Sequence, residues 1–94
     1  MATRVERAGI EDCVKKINAA IEELTTAAGE IDKAMQELPN YWEGAAYDAA
    51  NTTYMDQYQT LLTTTVPEKV GEFRDYINTC MDKIIEIDQQ LAGM

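Results

Sequence analysis

The sequence predicts an all-α protein: an antiparallel helix-turn-helix hairpin that dimerises into an elongated four-helix bundle. Three observations predict it. Apolar residues recur at alternating steps of four and three through the first half. A second apolar stripe runs through almost all of the second half. Between them lies Pro39, followed within five residues by Gly44. At 94 residues the chain forms one domain, 1–94.

The first helix is expected over about 5–38. Ile10, Val14, Ile17, Ile21, Leu24, Ala28, Ile31, Met35 and Leu38 form an unbroken heptad seam. Beside it runs a stripe of small residues, Cys13, Ala20, Ala27 and Ala34, which lets another backbone approach closely and widens the apolar face. Glu11, Lys15, Glu22, Glu30, Lys33 and Glu37 make a solvated face opposite. Pro39 ends the helix, because the residue before a proline disfavours helical geometry. The turn covers 39–44, with Asn40 expected as N-cap and Glu43 as its capping-box partner.

The second helix is expected over about 45–91. Tyr47, Ala50, Tyr54, Tyr58, Leu62, Val66, Val70, Phe73, Ile77, Cys80, Ile84, Ile87 and Leu91 share its stripe. The steps are all four between Ala50 and Val70, then alternate four and three, which reads as a local stutter. Three threonines and Pro67 at 63–67 disfavour a helix interior. Thr65 to Glu68 is also the pattern of a new capping box. Because the stripe passes through in register, one long helix kinked near Pro67 is expected. At 1.5 Å per residue the helices are about 50 and about 70 Å long. Two such helices enclose little interior, so a second hairpin is the simplest cover for the remaining apolar surface. The expected hairpin and dimer contacts are Val14, Ile17, Ala20, Ile21, Leu24, Ala27, Ala28, Ile31, Ala34, Met35, Tyr54, Tyr58, Leu62, Val66, Val70, Phe73, Ile77 and Ile84.

Composition narrows the function. Seventeen acidic residues, eight basic ones and no histidine give a net charge of −9. That charge repels nucleic acid and anionic membrane surfaces. No apolar run has the length of a membrane span, so stable membrane insertion is not expected. The 46% apolar content is too high for a disordered acidic tail. Without histidine or serine the commonest base and a common nucleophile are missing, and adjacent carboxylates such as Glu22 and Glu23 point in different directions on a helix. No catalytic residue, cofactor or metal site is assigned, and the chain is not read as an enzyme. Cys13 and Cys80 form no close pair. Counted from Trp42 they differ by nine residues, about 13 Å of helix, too far for a disulfide.

Trp42-Glu43-Gly44 is the most informative triplet. It holds the only tryptophan, at the bend, and Gly44 supplies a free φ for a sharp helix start. Trp42 is expected to plug the end of the bundle. Here the sequence resembles the WXG family, small early-secreted-antigen-like proteins exported by bacterial type VII secretion. The likeness covers the whole chain: its length, its two helical halves, and the Trp42-x-Gly44 turn followed by the alanine-rich start of a helix bearing Tyr47. It implies a homodimer, or a heterodimer with another WXG-type chain or the helical region of a toxin. It also implies synthesis in the bacterial cytoplasm, passage through a type VII secretion ATPase, and release without a cleaved signal peptide. Many such complexes carry Tyr-x-x-x-Asp/Glu after the second helix. Here Cys80 stands four residues after Tyr76, and a looser pattern, Ile84, Asp88 and Leu91, is the only weak export signal. The alternative is a cytoplasmic adaptor or chaperone that pairs with the N-terminal helices of a larger type VII toxin.

Overall fold

The structure, a computed structural model, describes the backbone of residues 4–92 and the side chains of residues 4–87. Helix α1 spans Arg7–Glu37, and a 3-10 turn follows at Leu38–Asn40. The chain re-enters helix at α2, Ala45–Thr53, and stays helical to the end of α3, Val66–Ala92. Two π-helical turns, Tyr54–Tyr58 and Leu61–Thr65, lie between α2 and α3. No strand occurs among the described residues. The two long helical halves fold back on each other as an extended hairpin of 73 × 20 × 19 Å.

The π-turns explain the run of fours. Five α-helical turns take about 18 residues, whereas the five steps from Ala50 to Val70 take 20. The surplus is about two residues, and each π-turn takes in roughly one, because its hydrogen bonds run from residue i to i−5. Gln59 N–H reaches Tyr54 O and Val66 N–H reaches Leu61 O in this way. What reads as a coiled-coil stutter is thus a change in helix type. The same widening bears on Pro67. A proline ring inside an α-helix clashes with the carbonyl four residues back and removes a hydrogen bond. Here the preceding turn is already wide, and the helix continues through Pro67 unbroken. Thr63 Oγ1 donates to the Gln59 carbonyl at 2.7 Å, so a threonine that disfavours α-helix satisfies a carbonyl in the wider one.

The bend differs from the expected capping box. Asn40 belongs to the 3-10 turn, where the backbone N–H groups of Tyr41 and Trp42 both donate to Leu38 O, at 3.0 and 3.1 Å. The N-cap of α2 is Gly44, and its carbonyl accepts from Asp48 N–H at 3.1 Å. Gly44 has φ 132° and ψ 178°, a region essentially closed to residues with a Cβ. Nothing lies within 4 Å of where a Cβ would stand, so the requirement is set by the backbone alone.

A hairpin this thin has almost no interior. Val14, Ala28, Tyr54 and Met81 are the buried apolar residues among those described. The radius of gyration is 21.1 Å, against about 12 Å for a compact domain of this length. The accessible surface is 7363 Å², about a third more than the roughly 5,400 Å² of a compact chain of this mass.

Candidate functional site: two unlike sides and a bend

The hairpin has two unlike sides. One is polar. On α1, Asn18, Thr25 and Asp32 lie seven residues apart and project to that side. Two cross-helix ties form there. Arg74 Nη1 donates to Asn18 Oδ1 at 2.8 Å. Near the bend, Asp32 Oδ1 accepts from the Tyr54 hydroxyl at 3.0 Å and from Gln59 Nε2 at 2.9 Å, while Gln36 Nε2 reaches Oδ2 at 3.3 Å. Among the described residues no ion pair joins the two helical halves; all are local pairs at the surface, only Arg74 of them half-buried, and worth little. The two hydrogen-bonded ties therefore fix the register. Burial raises the Tyr54 phenol above its ordinary value, and the hydrogen bond to Asp32 and that residue's charge add to the rise.

The other side is apolar. It carries the small-residue stripe with Leu24 and Ile31 from α1, and Phe73, Tyr76, Cys80 and Ile87 from α3. All of these are exposed except Cys80, which is half-buried. Phe73 and Tyr76 stack on each other, ring centroids 6.4 Å apart, and both are more than half exposed. The Cys80 thiol one turn further on holds the Tyr76 phenol above its ordinary value, with that thiol's charge and burial adding to the effect.

The expected contact residues divide between these settings. Val14, Ala28 and Tyr54 are buried, and Ile17, Ile21, Met35, Leu62, Val66, Val70, Ile77 and Ile84 are half-buried. Ala20, Leu24, Ala27, Ile31, Ala34, Tyr58 and Phe73 are exposed on the hairpin. The heptad seam of α1 thus splits: its Leu24 and Ile31 roll outward to join the alanines. In α3 the seam rolls too, burying Met81, which the spacing had passed over for Cys80.

The two cysteines lie closer in level than a count from Trp42 predicts. Cys13 lines a groove together with Ile77, so Cys80 lies within about a turn of its level, not nine residues away. The bend is not centred on Trp42, and the π-turns take up extra residues of the second half. Both thiols are free.

At the bend Trp42 is not a buried plug of the hairpin. It is 41% exposed and packs edge-on against Tyr47, centroids 5.7 Å apart, with Tyr41 almost fully exposed beside it. Of the weak export pattern, Ile84 lines an apolar groove at the open end, and the side chains of Asp88 and Leu91 lie outside the described residues. Among the described residues no three Cys, Asp or Glu side chains converge as a metal site, and no helix is long and apolar enough to cross a membrane.

Spacing arguments missed Asn18, Asp32, Gln59 and Arg74. The 18–25–32 heptad of polar residues beside the apolar seam was the available signal. The chain matches no protein-family model, no curated protein and no solved structure.

Proposed function

We propose that the chain is a small subunit of the type VII secretion kind, resembling the WXG family, which works through protein–protein contacts and leaves the cell as a dimer of hairpins. The observation that carries this reading is the bend. Trp42 and Gly44 stand outside both long helices, Gly44 in a backbone geometry that glycine alone holds easily, and Trp42 keeps much of its ring accessible. The open apolar side supports the dimer: small residues on α1 face outward beside large ones on α3, a surface suited to close helix packing. The partner is a second copy or another helical chain of the same type, and the secretion ATPase engages the pair.

The test is secretion from a bacterium that carries the machine, compared with the same strain lacking its ATPase. The protein is expected in washed culture supernatant only when the ATPase is present. A Trp42→Ala chain that keeps its helix content and dimer mass but stays in the cells makes the tryptophan a recognition residue. Retention of the wild-type chain in the cytoplasm, bound to a larger helical protein, sinks the substrate reading in favour of the adaptor.

A further inference from the structure

We propose that the polar side near the bend holds an arginine pocket, which anchors one guanidinium from a basic segment of a partner protein. A cavity of about 250 Å³ opens there, where Asp32, Gln36, Asn51 and Gln59 stand among walls made largely apolar by Met35, Pro39 and Met55. It is the size for one long side chain; drug-sized ligands take about 300–1,000 Å³.

Its one charged group among the described residues is a carboxylate. Asp32 is the one Asp or Glu among the described side chains that is not fully exposed. Among the described residues no Lys or Arg stands in ion-pair range of it. Its Oδ1 is filled by the Tyr54 and Gln59 donors, whereas Oδ2 has only the long contact to Gln36. Once Gln36 and Gln59 each give one N–H to Asp32, each keeps a second N–H and its amide oxygen as an acceptor, and one acceptor position remains on Oδ2. The pocket therefore surrounds a half-buried carboxylate with amides that still have acceptors to offer a cation. An anion is repelled, and a neutral group leaves that charge uncompensated.

A guanidinium fits best. It brings five donors in a plane, pairs with a carboxylate in charge-assisted hydrogen bonds, and stacks on aromatic faces such as that of Tyr47. An ammonium brings three donors and no flat face. The occupant is assigned to a polypeptide because the whole chain carries −9, which draws a basic segment toward it and raises the rate of encounter. The site lies on the side of the hairpin opposite the exposed apolar stripe, so a hairpin already covered on that stripe can still use it. It does not depend on export.

The test is a nuclear magnetic resonance titration of the full chain with N-acetyl-argininamide, its lysine and citrulline counterparts, and the capped peptide Ala-Arg-Ala. The arginine probes are expected to give saturable shifts confined to residues 32–36 and 47–59. Citrulline, the neutral isostere, should bind at least tenfold more weakly, and lysine several-fold more weakly. Asp32→Asn keeps the shape of the side chain and should weaken arginine binding about tenfold; Tyr47→Leu should weaken it by a smaller factor. Shifts spread over the whole acidic surface, or equal binding of citrulline, overturn the pocket, and neither result needs a variant to fold. Equal binding of lysine overturns the guanidinium assignment. Exclusion of the peptide while free argininamide binds would mean that the occupant is a small molecule and not a protein partner.

Discussion

The two sides of the hairpin do different jobs with the same helices. On the polar side, Asn18, Asp32, Tyr54, Gln59 and Arg74 reach across and spend their hydrogen bonds on each other. On the apolar side, Cys13, Ala20, Ala27 and Ala34 from α1 lie open beside Phe73 and Tyr76 from α3. Hydrogen bonds are directional, so the first side selects one register. Apolar burial is non-directional and scales with area, so the second supplies driving force for whatever covers it. A hairpin with four buried apolar residues among those described thus takes its register from polar ties while much of its hydrophobic surface stays uncommitted.

Charging the open side is expected to have the largest consequence. Ala20→Glu with Ala27→Glu places two carboxylates where a partner is expected to pack. An unpaired buried charge costs about 3–5 kcal/mol, so association is expected to weaken more than a hundredfold. Both positions are exposed on the hairpin, which should keep its helix content. Mass measurement by light scattering is the check. A double variant with wild-type mass and thermal stability means that this side is not the interface.

Gly44 belongs to neither side, and both depend on the bend it makes. Gly44→Ala forces a Cβ into a backbone region that costs on the order of 1–3 kcal/mol. Since no atom stands near that Cβ, the loss should be the same in low and high salt and should not respond to trimming any neighbour. Chemical denaturation measures it. An unchanged midpoint would show that the turn has an alternative geometry with negative φ at this position.

Much of this fold was legible in the sequence, and the reasons separate what was read from what was not. The α1 heptad seam and Pro39 placed the first helix and its end within a residue or two, since both act locally. The run of fours from Ala50 to Val70 held the π-turns in plain view, but periodicity alone does not distinguish a supercoil change from a wider helix. Leu24, Ile31 and Cys80 belong to their stripes by spacing, and spacing alone does not say which members of a stripe face the other helix of the hairpin. In fact, a few tens of degrees of roll decides whether Leu24 or Asp32, Cys80 or Met81, faces the other helix. Trp42 is expected as a plug at the end of a four-helix bundle, and a single hairpin leaves it 41% exposed. Burial of so large a ring needs walls, and a two-helix bend provides only Tyr47 as a stacking partner. The polar ties were the least legible, because Asn18 with Arg74 and Asp32 with Gln59 are long-range pairs that only the register brings together.

The smallest expected effect concerns the polar side alone. Tyr54→Phe removes one hydrogen bond to Asp32 and leaves the Gln59 bond in place, so it should cost about 1 kcal/mol near neutral pH. Its pH dependence is the more telling result. The Tyr54 phenol is held above its ordinary value in the folded hairpin by burial first and by Asp32 second. An unfolded tyrosine loses its proton near pH 10. Below that pH both states hold the proton and the tie is fully present. As pH rises past about 10, the unfolded chain releases its proton first, and stability falls until the folded phenol ionises too. Tyr76 is also held high, through Cys80, and contributes in the same direction from the apolar side. Phenolate absorbance should therefore show a late-titrating component from Tyr54 and Tyr76, which loses the Tyr54 share in Tyr54→Phe. The thermal midpoint of Tyr54→Phe should fall less steeply than that of wild type as pH rises past about 10. Equal slopes would mean that Asp32 and Tyr54 are not joined in solution, and the polar side would lose its tie at the bend.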